Sequence, residues 1–230
     1  MADSELTEDS DKKFNMKKLV KKITPVYKLY LKMLHWKRKL RDRLTIPGYE
    51  IKRSTIRELA KKYNCTNVFI ETGTYMGDTV DFLKNDFEQL FSIELNQELA
   101  TKAAKRFEAY SNIRIVQGDS TDQLVTILSN IQLPVTFWLD GHYSSEYKVG
   151  DEYIVTGKGV KDTPVMEELH QIKKHSNKRH VILIDDARLF NGKDDYPTKE
   201  EVKLFVKTHL PNHTFSIKKD IIRILPRTNE

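Results

Sequence analysis

From residue 68 onward, short apolar runs alternate with stretches of helical periodicity. VFIET (68–72), LFSIEL (90–95), IRIV (113–116), VTFWLD (135–140) and HVILID (180–185) read as strands. Their near-continuous hydrophobicity suits strands covered on both faces. Between them, residues 77–85, QELATKAAKRFEAY (97–110) and TDQLVTILSN (121–130) predict helices. Asp162-Thr163-Pro164 opens a further helix through His175, and Ser54 is placed to cap one running to about Tyr63. HTFSIKKDIIRILP (213–226) is two strand-like runs joined by Lys-Lys-Asp, a hairpin. The polar, tyrosine-bearing stretch after Tyr143, to about Lys161, has no clear period and predicts a long lid or binding loop. Together these elements predict an α/β fold. Its sheet is Rossmann-like, doubly wound, seven-stranded and mostly parallel, with a C-terminal antiparallel hairpin and an N-terminal helical extension.

That extension changes the picture through its charge. Residues 1–11 carry five acids and no base, an acidic tail expected to be disordered. Residues 12–43 carry thirteen Lys/Arg and one acid, and the rest of the chain is nearly neutral, so the net +6 belongs to one arm. Within the arm, Val26, Tyr27, Tyr30, Leu31 and Leu34 keep helical spacing, with Trp36 and Leu40 beyond, and Pro25 fits a first turn. The organisation is therefore an acidic tail (1–11), a basic amphipathic arm (12–49) and a catalytic-sized domain (50–230). The arm suits packing or homo-oligomerisation first. Peripheral contact with an anionic membrane comes next, and nucleic acid last, because the near-neutral body adds no second basic patch. Cys65 stands alone, which excludes a disulfide framework, and the polar start has no secretory pattern. A cytoplasmic protein, with the membrane surface as a second option, is the expectation.

Candidate chemistry gathers at the strand ends, where open α/β sheets bind ligands. The first strand runs into Glu71-Thr72-Gly73-Thr74-Tyr75-Met76-Gly77-Asp78-Thr79, and the second ends at Glu94. The third leads to Asp119 and Ser120, the fourth to Asp140-Gly141-His142, the fifth to Asp185-Asp186. Every strand end carries an acid. A pyrophosphate disfavours such company, whereas a cofactor with a positive centre and hydroxyls suits it.

S-adenosyl-L-methionine is such a cofactor, and here the chain resembles the class I methyltransferases. Their first motif runs acid-x-Gly-x-Gly-x-Gly; Glu71, Gly73 and Gly77 match, and Tyr75 replaces the middle glycine. That aromatic is similar to the one in macrocin-type sugar O-methyltransferases, and the resemblance covers about residues 50–226. It implies that Glu71, Gly73, Tyr75, Gly77 and Thr79 hold the amino-acid end of the cofactor. It also implies that Glu94 binds the ribose, and Asp119 with Ser120 the adenine edge. The Leu-Asp-Gly and Ile-Asp-Asp runs resemble that family's metal ligands, which makes Asp140, Asp185 and Asp186 candidates for Mg²⁺. Three converging carboxylates repel one another, a problem that a divalent cation removes. The reading is thus O-methylation of a sugar or glycan hydroxyl, with Asp140 or His142 as base. Tyr143 and Tyr147 are candidates to stack on the acceptor, and Arg188 either to contact it or to balance charge. RNA or another small molecule as acceptor, an NAD-dependent dehydrogenase, and a non-catalytic membrane- or partner-binding module are the alternatives. The missing Gly-x-Gly-x-x-Gly and the lack of a Tyr-x-x-x-Lys set disfavour the dehydrogenase.

Overall fold

The computed structural model describes residues 47–141, 146–149, 152–155 and 163–228, together with Met33. The chain divides into two compact units, Met1–Pro47 and Gly48–Glu230. The basic arm lies almost wholly outside the described residues. The second unit runs α1 (Tyr49–Lys62), β1 (Val68–Thr72), α2 (Asp78–Leu83), β2 (Gln89–Glu94), α3 (Gln97–Arg106), β3 (Ile113–Gln117), α4 (Ser120–Ser129), β4 (Val135–Leu139), β5 (Glu146–Val149), β6 (Glu152–Val155), α5 (Val165–Ile172), β7 (Val181–Ile184), α6 (Lys199–His209), β8 (His213–Lys218) and β9 (Ile221–Pro226). A 3₁₀ turn, Ala187–Leu189, follows β7.

The main sheet has seven strands in the order β3-β2-β1-β4-β7-β9-β8. Pairs from β3 to β7 are parallel, and β9 runs antiparallel to both β7 and β8. The expected doubly wound sheet with a terminal hairpin is what the chain forms. The strand order reverses between β1 and β4, so the crevice for a ligand opens beyond their carboxyl ends.

Period-two alternation explains why the central strands read as unbroken apolar runs. Val68, Ile70, Phe137, Leu139, Ile182 and Ile184 face one core with residues of α4, α5 and α6. Phe69, Trp138, Val181 and Leu183 face the other, with Ile56 and Ala60 of α1 and Val80 and Leu83 of α2. Each fully buried side chain of this kind contributes roughly 1.5–3 kcal/mol through apolar burial, so the strand ends rest on a rigid double-sided core.

Two elements depart from the expectations. Helix α1 starts at Tyr49 with Gly48 as its extended N-cap, so Ser54 lies inside it. The buried stripe Lys52, Thr55, Ile56 and Ala60 carries the helix back that far. The polar stretch after Tyr143, read as a loop, contains the antiparallel pair β5–β6. Helix α6 begins with a reciprocal cap: Thr198 Oγ1 accepts from Glu201 N–H, and Glu201 Oε2 accepts from Thr198 N–H at 2.6 Å. In the β8–β9 turn, Lys219 and Asp220 both hold positive φ, 56° and 58°. That is the conformation of a two-residue primed hairpin turn, usually built from Asn-Gly.

At the opposite edge, where β4 and β7 begin, His175 and His180 are buried and bonded, not the surface residues their polarity suggests. The Val135 N–H donates to His180 Nδ1 at 3.1 Å. Nδ1 being an acceptor, His180 Nε2–H donates to His175 Nδ1 at 3.1 Å, and His175 Nε2–H donates to the Ile131 carbonyl at 2.6 Å. Among the described residues no helix is long and apolar enough to cross a membrane.

Candidate active site

The loop after β1 keeps the backbone of a glycine motif although one glycine is missing. Gly73, Tyr75 and Gly77 have φ of 88°, 48° and 80°. A Cβ on Gly73 would stand 2.6 Å from the Asp140 carbonyl oxygen, and one on Gly77 would stand 2.6 Å from the Phe107 ring. The glycines therefore let the loop close against β4 on one side and the end of α3 on the other. Tyr75 occupies the left-handed region at a cost of roughly 1–2 kcal/mol. Its N–H donates to Glu94 Oε2 at 2.8 Å, which holds it there. Tyr75→Gly is expected to leave thermal stability within about 1 kcal/mol of wild type, relieved strain offsetting the added chain entropy. A melting curve checks this, and a drop of many degrees would show that the ring, not the backbone, supports the loop.

The acids of β1 and β2 are held from several sides. Glu71 is buried, and Ser92 Oγ–H donates to its Oε2 at 2.6 Å. Burial pushes Glu71 up to about 8, against the hydrogen bonds from Ser92 and Thr79. Near neutral pH it stands as a neutral acid that an incoming cation would ionise. Glu94 is also buried; its second oxygen accepts from Asn96 N–H at 2.9 Å, so it ties the loop after β1 to the end of β2.

At the third strand end both candidate residues have partners within the chain. Asp119 caps α4, its Oδ1 accepting from Thr121 N–H at 2.8 Å. The Ser120 hydroxyl donates to Glu168 Oε1 at 2.6 Å. Glu168, which the sequence reading does not single out, reaches this strand end from α5. It is 1% exposed, and burial lifts it to about 7 against the Ser120 bond. The signal was present: Glu168 sits on the apolar stripe of α5 with Val165, Leu169 and Ile172.

Asp185 and Asp186 come together, with Asp140 near enough to feel their charge but outside the group, and a further carboxylate joins the pair. Asp220, from the β8–β9 turn, brings an oxygen that lies with those of Asp185 and Asp186 within 4.8 Å of one another. Burial raises Asp140 well above the usual carboxylate range, followed by the charges of Asp185, Asp186 and Glu71. The relief expected from a metal is supplied here by the chain. Lys52, on α1 and only 3% exposed, pairs with Asp185, lies 2.9 Å from Asp186 Oδ1 and 3.8 Å from Asp220 Oδ2. Burial opposes its charge, but Asp185 and Asp186 outweigh burial and hold Lys52 above its ordinary pKa. Arg188 spans both oxygens of Asp186, at 2.6 and 3.0 Å, and also pairs with Asp220. Of its two expected roles, charge balance is the one its contacts serve. Tyr147 falls on β5, while His142 and Tyr143 lie outside the described residues.

No family model matches the chain, and no curated protein does. Solved structures do. The O-methyltransferase TomG from Streptomyces achromogenes, involved in tomaymycin synthesis and in complex with SAM, is 16% identical over 80% of this chain and 82% of its own, with a TM-score of 0.53. The Bacillus cereus O-methyltransferase in complex with SAH is 12% identical, covering 84% and 90%, with a TM-score of 0.54. The Podospora anserina methyltransferase PaMTH1, bound to SAH, is 12% identical, covering 86% and 87%, with a TM-score of 0.52.

The chain shares the fold of these solved methyltransferases. On that fold, Glu71, Gly73, Tyr75 and Glu94 line the switch point between β1 and β4. Asp140 follows directly at the end of β4, its N–H donating to the Thr72 carbonyl at 3.0 Å. The donor set suits a sulfonium and ammonium with a ribose diol better than a pyrophosphate, because the strand ends offer carboxylates. Cys65 is no rival nucleophile; it is buried, and burial pushes its thiol up to about 11.

Proposed function

We propose that the protein is an S-adenosylmethionine-dependent O-methyltransferase whose acceptor is a hydroxyl of a sugar or glycan. The observation that carries the first half is the left-handed Gly73-Tyr75-Gly77 loop at the β1/β4 switch point, backed by buried Glu71 and Glu94. Support for the sugar is the pairing of that aromatic loop with Leu139-Asp140-Gly141 and Ile184-Asp185-Asp186, the runs that resemble macrocin-type enzymes.

Bound adenosylmethionine supplies a sulfonium methyl group to the acceptor oxygen. The chain's part is alignment and proton removal. Contact between Gly73 and the Asp140 carbonyl sets the cofactor loop directly beside the end of β4, where an acceptor would meet it. Asp140, in its ionised form, or His142 two residues on would take the hydroxyl proton. Magnesium at Asp140, Asp185 and Asp186 fits this arrangement poorly, because the Lys52 ammonium already lies among the carboxylates. No step here runs through an ion.

The test is a calorimetric titration with S-adenosylhomocysteine and, separately, with NADH. Binding of the first alone is expected. Binding of NADH, or of neither, would overturn the methyl-transfer reading. A panel of free sugars and glycans, assayed for methyl incorporation against RNA, then decides the acceptor class.

A further inference from the structure

Carboxylates gathered at the ends of β4 and β7 need a positive charge between them. We propose that Lys52 is that charge, a resident cation that makes the acidic cluster self-sufficient and excludes a divalent ion from it. The inference stands on the geometry of the cluster, and rests on the methyl-transfer reading only for its meaning in catalysis.

Three observations carry it. An ammonium has three N–H donors, and Lys52 has three carboxylates, Asp185, Asp186 and Asp220, disposed around it. The lysine is built in, not draped over the surface: Ile56 and Ala60, next to it on the buried stripe of α1, pack into the core that Trp138 and Leu183 share. Other acceptor positions of the cluster are engaged as well. Asp186 takes three N–H bonds, one from Lys52 and two from Arg188. Asp185 Oδ1 takes Asp186 N–H at 2.7 Å besides Lys52, and Asp220 takes the Arg188 backbone N–H at 2.9 Å besides its side chain.

A divalent ion binds oxygen at about 2.0–2.6 Å. To touch these three carboxylates it would have to stand beside the Lys52 ammonium in a buried space, where like charges are poorly screened. Ion and ammonium are therefore alternatives. A fixed protein cation also differs from a metal in kind. It offers no open coordination position to an acceptor, so its part is to hold Asp185, Asp186 and Asp220 in place beside Asp140. Lys52 is thus a positioning residue.

The experiment is a Mn²⁺ titration followed by electron paramagnetic resonance, on the full chain and on Lys52→Met, with Mg²⁺ as competitor. Wild type is expected to bind no Mn²⁺ at this cluster. Lys52→Met should bind one ion per chain, since three carboxylates then lack their central cation. Adding Asp186→Asn to that variant should remove the ion again. Mn²⁺ bound by wild type and lost in Asp186→Asn overturns the proposal, as does a folded Lys52→Met that binds none. If Lys52→Met is unfolded without metal, Mn²⁺ should restore its circular dichroism, and failure to do so counts against the exchange of one cation for the other. None of these readouts needs turnover. Failure of the methyl-transfer reading would appear separately, in the S-adenosylhomocysteine titration.

Discussion

Gly73→Ala is expected to abolish S-adenosylhomocysteine binding and to destabilise the fold. Two penalties combine at this position. An L side chain at φ 88° is strained by about 1–3 kcal/mol. The new methyl would also stand 2.6 Å from a backbone carbonyl oxygen, that of Asp140, which cannot rotate aside as a side chain could. Either the loop after β1 lifts or β4 shifts, and both spoil the switch-point crevice. A loss of about 3 kcal/mol lowers the melting temperature of a domain this size by roughly 6–12 °C. Gly77→Ala provides the contrast, because its new methyl meets the Phe107 ring, a side chain with some room to yield. Calorimetry and melting curves on both variants decide the matter. Wild-type affinity in a folded Gly73→Ala protein would show that the loop does not hold the cofactor.

His180→Asn is expected to flatten the acid-side dependence of stability on pH. In the folded chain His180 must be neutral, since its Nδ1 accepts from Val135 N–H while its Nε2–H serves His175. Burial first, then His175 and His213, lower it from 6.5 to about 3. The folded value lies below the unfolded one, so the unfolded chain takes up the proton first. The contribution is complete above pH 6.5 and drains as pH falls from 6.5 towards 3, at about 1.4 kcal/mol per unit. By pH 5 roughly 2 kcal/mol is gone. Glu71 and Glu168 act with the opposite sign. Their raised values, about 8 and about 7, give stability that is complete below 4.5 and lost as pH rises through them. The total curve mixes these slopes, so the informative quantity is the difference between wild type and His180→Asn, whose amide oxygen can still accept from Val135. Urea unfolding at pH 7 and pH 5 should show that difference shrinking by about 2 kcal/mol. A constant difference would mean that His180 is not the titrating group.

Much of this was legible in the chain. The five parallel strands announced themselves because burial on both faces leaves no polar positions in Phe69-Ile70, Phe137-Trp138 or Ile182-Leu183. The glycine loop was legible for a local reason, that left-handed backbone demands particular residues, and Tyr75 shows that a hydrogen bond can stand in for one of them. What local pattern could not reveal was partnership across the sheet. Lys52 looked like one lysine among many, and only docking of α1 onto β4 and β7 turns it inward. Asp220 looked like a turn residue, and is one, but the turn folds back against the segment after β7, where the Ala187 N–H donates to its carbonyl. Ser120 gave no sign of its bond to Glu168, which α5 brings against it. Each miss is a polar side chain whose partner lies far away in sequence, where periodicity carries no information.

Distance along the chain also has a kinetic meaning at the acidic cluster. Lys52 meets Asp185 and Asp186 across 133 and 134 residues, and Asp220 belongs to the last hairpin of the sheet. Contacts of such separation form late, because loop closure must be met before they return any stabilisation. On the ribosome, α1 and β1 emerge long before their acidic partners exist. The cluster therefore closes only when the whole domain has been synthesised and the final turn has docked. A chain cut short between Ile184 and residue 220 would keep its five parallel strands yet leave the lysine without its full complement of charge. The site doubles as a record that folding has run to its end.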